Sequence, residues 1–167
     1  ESDAAVRDFF VSYLRDQTMH ELGIGTLHGM KSVFRGIFVP VFLSRAYTLP
    51  EKINIWRAKA FLRKDTVLID ELFASDLFSL VPAMRIPAYF VSGIFDYTVN
   101  HALSKEYFEH LRASVKGFYT FDKSAHSPTF EEPERFVQIM RNDVARGTSV
   151  LADMPAARGA SRTATAD

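Results

Sequence analysis

Two short stretches of this sequence carry an acid and a histidine in matching positions. Asp96 lies in Gly93-Ile94-Phe95-Asp96-Tyr97-Thr98-Val99, and His126 lies in Asp122-Lys123-Ser124-Ala125-His126-Ser127-Pro128. Each stretch follows an apolar run with strand character. A carboxylate that accepts one ring N–H of an imidazole fixes its tautomer. The other ring nitrogen is then free to take a proton from a nucleophile, and an imidazole that titrates near neutrality suits that exchange. Taken singly, the residues read more simply: Asp after a strand is a common turn or cap residue, and His in a Ser/Pro loop is a common surface residue. The pair is more specific, because both members leave equivalent strand ends, where ligands bind in open α/β sheets.

Other chemistries find less support. Ser32, in Gly29-Met30-Lys31-Ser32-Val33, lacks the second glycine and the preceding strand of a nucleophile turn, and reads as a helix residue. His20, His28, His101 and His110 show no His-x-x-x-His spacing, so no metal is expected. Asp70-Glu71 and Glu131-Glu132 read as solvated faces or helix starts. Neither a Gly-x-Gly-x-x-Gly nor a phosphate-binding loop occurs, and no cofactor is expected.

The elements that must position Asp96 and His126 follow from periodicity. Residues 1–22 predict a helix with Ser2 or Asp3 as its cap, ended by Gly23 and Gly25. Residues 28–44 predict a helical segment broken at Gly36 and Pro40. The stripe of Phe34, Ile37, Phe38, Val41 and Phe42 belongs to a helical core or, less simply, to an apolar pocket. Further helices are expected over Pro50–Arg63, burying Ile53, Trp56, Ala60 and Phe61, over Leu68–Phe73 and over Asp76–Leu80. The pattern then changes. Ile86–Gly93 predicts a buried strand and Gly117–Phe121 a second one. Asn100 caps a helix to Arg112 with Leu103, Tyr107, Phe108 and Leu111 inward. Pro133 opens a last helix to about Val144 with Phe136, Val137, Ile139 and Met140 inward. This is a βαβα unit. From Ala145 the small and polar composition predicts a disordered tail over 145–167.

Composition sets the outer limits. The chain has 167 residues, 47% of them hydrophobic and 24% charged, which is a globular balance. Lys+Arg and Asp+Glu are both 20, and this zero balance argues against nucleic-acid or polybasic membrane binding. The absence of cysteine excludes disulfides, a thiol nucleophile and Cys-type zinc sites. The longest apolar run, Ile37–Leu43, is too short to span a membrane and contains Pro40. With no signal segment, a cytoplasmic location is expected. The opening on Glu1 within a helical pattern suggests that sequence is missing upstream.

Residues 86–140 resemble the C-terminal end of an α/β-hydrolase. Ile86-Pro87-Ala88-Tyr89-Phe90-Val91-Ser92-Gly93-Ile94-Phe95-Asp96 resembles that family's strand, glycine and acid loop. Ser124-Ala125-His126-Ser127-Pro128, followed by Phe130-Glu131-Glu132-Pro133-Glu134-Arg135-Phe136, resembles its histidine loop and last helix. The resemblance is to the proline-iminopeptidase-like or esterase-like capped branch. It implies an α/β fold with a helical cap (1–82) followed by the βαβα part of the core (83–144), the upstream sheet strands being missing. It also implies Asp96 and His126 as two members of a Ser-His-Asp triad that hydrolyses an ester or amide, of a small acyl or short-peptide substrate, without a cofactor. The Gly-x-Ser-x-Gly turn that should precede them is absent here, so the isolated chain is expected to be inactive and to need the N-terminal part of the core. Alternatives are an epoxide or haloalkane hydrolase with an Asp nucleophile, and a truncated, non-catalytic hydrolase that serves as a binding domain.

Overall fold

The computed structural model of the chain describes residues 3–64 and 66–155. Its first half is helical: α1 (Asp3–Val11), α2 (Tyr13–Leu22), a π-helical turn (Phe34–Phe38) running into α3 (Val39–Leu43), α4 (Leu49–Lys64), α5 (Thr66–Ala74) and α6 (Leu77–Leu80). The expected single helix over 1–22 is two helices. Ser12 breaks it, because its hydroxyl donates back to the Phe9 carbonyl at 2.7 Å and accepts the Arg15 N–H at 3.3 Å, capping α2. Gly23 closes α2 at φ 74°, a left-handed position that favours glycine. The break predicted over 28–44 takes the form of the π-turn, with Pro40 in the first turn of α3.

The helices form largely where expected, but their apolar faces do not all close. Among the described residues before 83, Met19 alone is a buried apolar side chain. Ile53 and Phe61, expected inside, are 52% and 64% exposed. The helices pair mainly with their sequence neighbours, as α1 with α2 and α4 with α5, and α1 meets α5 through Arg7–Asp70 at 2.6 Å and Phe10–Phe73 at 5.0 Å. Phe34, Phe38 and Phe42 stack on one another, and Phe38 meets Trp56 at 5.1 Å, yet Phe34 and Phe42 remain exposed.

The second half is built on parallel strands. β1 (Ala83–Met84) is followed by β2 (Ala88–Gly93), α7 (His101–His110), β3 (Arg112–Ala113), β4 (Lys116–Phe121), α8 (Pro128–Glu131) and α9 (Pro133–Asn142). β1 pairs with β3 in parallel, and β2 pairs with β4 in parallel from Ala88↔Lys116 to Gly93↔Phe121. Alternation along the strands gives the sheet two covered faces. On one, Phe90 and Phe118 meet Phe108 of α7 edge-on at 5.5 Å. On the other, Tyr119 and Phe121 pack with Ile139 of α9, with Tyr89, Val91 and Phe136 around them. Asn100 caps α7 by accepting the Leu103 N–H, and Lys116 donates to the Phe108 and Leu111 carbonyls at its other end. Leu103, Val137 and Met140, expected inward, are exposed, and Leu103 borders an open cavity beside Phe90 of β2.

The largest departure lies after residue 144. The disorder predicted from 145 does not hold as far as 155. A 3-10 turn (Val144–Arg146) leads into a segment that returns to the sheet as β5 (Met154–Pro155), antiparallel to β4. Asp143 is fully buried and organises this return. One carboxylate oxygen accepts from Thr148 Oγ1 and the Val150 N–H, and the other from Tyr119 Oη and the Leu151 N–H, all at 2.7–2.8 Å. Burial pushes this carboxyl up, but the bonds from Thr148, Leu151, Tyr119 and Val150 outweigh it and hold the group below the ordinary carboxylate range. Burial and then the bond to Asp143 push the Tyr119 phenol well up. Residues 156–167 of the expected tail lie outside the described residues.

Candidate active site

The parallel register brings the ends of β2 and β4 to one level, so the loops that follow emerge side by side. They approach closely. The Ile94 and Phe95 N–H groups donate to the Phe121 and Ser124 carbonyls, both at 3.1 Å. Gly93 sits where a Cβ would lie 2.1 Å from the Ser124 oxygen and 2.3 Å from the Ala125 oxygen. Both are main-chain atoms, so only glycine fits without moving one loop off the other.

Asp96 is 6% exposed and begins a tight turn. Its Oδ1 accepts the N–H groups of Thr98 and Val99, both at 2.9 Å. Its Oδ2 lies 2.9 Å from His126 Nδ1. With both oxygens engaged the carboxylate plane is fixed. An ionised carboxylate only accepts, so Nδ1 carries the proton and Nε2 keeps its lone pair. The hydrogen bond to Asp96 is the main cause that raises the His126 imidazole above its ordinary range. Burial opposes it, the Asp96 charge adds to it, and Arg15 of α2 opposes it more weakly. The His126 side chain is 41% exposed, open enough for Nε2 to meet a second group.

Beside this pair lies a cavity of about 510 Å³, walled by Leu77, Phe78, Phe90, Leu103 and Tyr107. Asp96 and His126 line it as well. It therefore joins α6 of the helical half to the α7 face of the sheet. The aromatic stripe from Phe34 to Phe42 is not among its walls. On the same face Ser92 Oγ lies 3.0 Å from His101 Nδ1, and burial, more than the nearby Lys105 charge, lowers the His101 imidazole.

Sequence reasoning paired Asp96 with His126, and the structure brings them together. It assigned Glu131 and Glu132 to solvated faces or helix starts; Glu132 does stand at the start of α9, and both also hold the histidine loop. Glu132 Oε1 accepts the Lys123 N–H at 3.0 Å and the Ser124 hydroxyl at 2.7 Å, while Glu131 Oε2 accepts the Ala125 N–H at 2.8 Å. The sequence signal for this role is position: two carboxylates directly precede the Pro133 that opens α9, a few residues after the loop whose N–H groups they satisfy. Ser32 lies just ahead of the π-turn and is not among the residues that line the cavity beside Asp96 and His126. Among the described residues no group of three His, Asp or Glu is placed to hold a metal ion, and no helix is long and apolar enough to cross a membrane.

With the geometry in view, two relatives are informative. The chain is 38% identical over 73 residues to the "Probable aminopeptidase YbaC" of Bacillus subtilis (strain 168), a match covering 44% of this chain and 23% of that protein. It is 24% identical over 92 residues to the "Putative esterase/lipase 1" of Mycoplasma genitalium, covering 55% of this chain and 31% of that protein. The chain thus spans about a quarter to a third of the length of these curated relatives. No family model matches it, and no solved structure does. The two similarities are consistent with a hydrolase.

Proposed function

We propose that this chain supplies the acid and the histidine of a serine hydrolase acting on an ester or amide, with residues 1–82 as a helical cap and 83–144 as part of the catalytic core. The observation that carries the reading is the Asp96–His126 contact. The carboxylate is buried, held by two main-chain N–H groups and joined to Nδ1 at 2.9 Å, beside an apolar cavity. The names of the two relatives support the reaction class. The chain contains no Gly-x-Ser-x-Gly turn, so the nucleophile is assigned to a segment outside these 167 residues.

In the proposed reaction His126 Nε2 takes the proton from the serine hydroxyl as its oxygen attacks the substrate carbonyl. The resulting imidazolium returns that proton to the departing alcohol or amine, and water repeats the sequence to free the acid. Asp96 keeps the ring in the productive tautomer and stabilises its charge. The apolar walls from Leu77 to Tyr107 receive the acyl or side-chain part of a small-molecule or short-peptide substrate.

The test is to express this chain together with the coding sequence upstream of Glu1 and treat the product with a serine-directed fluorophosphonate. Labelling is expected at a serine in a Gly-x-Ser-x-Gly turn, and at least 100-fold slower in His126→Gln. Labelling at Ser32, Ser124 or Ser127, or a rate unchanged by His126→Gln, would refute the assignment.

A further inference from the structure

The loop that follows α2 touches His126 and the residue after Asp96 through main-chain groups. The Ile24 carbonyl accepts the Tyr97 N–H at 3.4 Å, one residue past Asp96, and the Gly25 carbonyl accepts the N–H of His126 itself at 3.3 Å. The His28 ring stacks on Phe95, one residue before Asp96, with centroids 3.8 Å apart and planes 13° off parallel. One side chain closes the arrangement. Glu131, the last residue of α8, accepts the His28 N–H on Oε1 and the Ala125 N–H on Oε2. A single carboxylate thus ties the helical half to the residue next to His126. The main-chain bonds at 3.3 and 3.4 Å are long, so the charge-assisted bonds to Glu131 are the strong members of the set. Behind the loop stands His20, 5% exposed, its Nδ1 held by the Asp16 carbonyl. Its ring lies 3.1–3.2 Å from where a Cβ on Gly25 would be, so the loop has no slack on that side.

We propose that loop 23–29 and Glu131 form a clamp that sets the geometry of the Asp96–His126 pair, which makes Glu131 a positioning residue and puts the pair under the control of the helical half. The inference rests on the reading of that pair as catalytic. Its physical content is that a displacement of the helical half by about 1 Å exceeds what these hydrogen bonds tolerate and is enough to misalign a proton-transfer site. When the helical half sits down, loop 23–29 holds the His126 main chain and the imidazole meets Asp96. When it lifts, those bonds break and the pair loosens.

The experiment uses the full chain and reads two properties of His126 by NMR: the low-field resonance of its Nδ1 proton and the midpoint of its titration. The groups that set that midpoint are Asp96, which raises it, and Arg15, which lowers it, together with burial. Asp96→Asn is the control and should abolish the resonance and lower the midpoint. Glu131→Ala and Gly25→Ala should each weaken the resonance and lower the midpoint by about 0.5 unit or more. Gly25→Ala changes no charge, so a shift there reports geometry alone, while Glu131→Gln, which keeps one acceptor, should restore part of the signal lost in Glu131→Ala. If Asp96→Asn shifts His126 but Glu131→Ala and Gly25→Ala do not, the clamp is refuted and the reading of the pair stands. If Asp96→Asn itself changes nothing, the reading of the pair fails. Should Glu131→Ala not fold, Gly25→Ala decides alone.

Discussion

Replacing Asp143 by alanine should be among the most damaging single substitutions in the sheet half. The carboxylate accepts four hydrogen bonds, and its removal strands Tyr119 Oη, fully buried, and the N–H groups of Val150 and Leu151. A buried hydroxyl without a partner costs about 2 kcal/mol, and the two amides, on a segment that can turn to water, about 1 kcal/mol each. The sum is about 4 kcal/mol, a large part of a normal domain's stability. Asp143→Asn keeps one acceptor oxygen but sets an amide N–H₂ against donors, so about half that loss is expected. The assay is urea unfolding at neutral pH, with Tyr119→Phe closing a double-mutant cycle against Asp143→Asn and a coupling of about 1 kcal/mol or more expected. The acid limb gives a second reading. The folded-state value of Asp143 is depressed, so its contribution is present above the ordinary aspartate range and is lost as pH falls through the depressed value. The wild-type midpoint should therefore fall in acid, and that of Asp143→Asn should fall less. An Asp143→Asn unfolding free energy within about 0.5 kcal/mol of the parent would refute the argument, and so would unchanged unfolding after truncation at Gly147.

Other outcomes follow from the site. On the proposed function, Asp96→Asn in the protein extended upstream of Glu1 should cut turnover by about four orders of magnitude with KM little changed, and a loss below tenfold in steady-state assays would refute the role given to Asp96. Gly93→Ala should cost about 2–3 kcal/mol in the same urea assay and weaken the His126–Asp96 contact, because the new methyl meets main-chain oxygens that cannot swing aside. His126 is raised in the folded state, so its contribution to stability is complete below the unfolded imidazole value and is lost as pH rises through the folded one. The unfolding midpoint, corrected by an His126→Gln reference, should decline across that window. The 167-residue chain alone should hydrolyse p-nitrophenyl acetate no faster than free imidazole and should resist fluorophosphonate labelling, since it presents no nucleophile turn.

What could be read in the sequence and what could not divide along a physical line. β2, β4, α7 and α9 announce themselves through local signals: Pro and Gly bounding an apolar run, Asn100 before a helix, Pro133 at a first turn. Asp96 and His126 were legible as a pair because parallel strands of equal length carry their loops to one level. The order between 145 and 155 was not legible, because it depends on Asp143 being buried against Tyr119 of β4, which is distant in sequence. β5, which ends in proline, has no strand signature and exists only because β4 offers an edge. The exposure of Ile53, Phe61 and Val137 was missed because periodicity shows that a helix has an apolar face without showing what meets it. Ser12 was missed because a serine on the polar side of an amphipathic pattern looks like any other solvent-facing residue.

The six-residue register of β2 on β4 also constrains how this chain can change in length. One residue added inside either strand would advance its loop by about 3.3 Å and turn every later side chain to the opposite face of the sheet. Phe90 and Val91 would exchange surroundings, and Asp96 would leave the reach of His126 by more than a hydrogen bond's length. A second insertion at the matching place in the other strand would restore level but not facing. Natural variation in length should therefore gather at the entrances to the two strands, in Arg85–Pro87 and Ser114–Val115 between the paired strands, and spare the stretches from each strand to its polar loop. Deep insertional scanning would reveal this as two tolerant windows, each followed by an intolerant one of about ten residues, the span from strand start to acid or histidine.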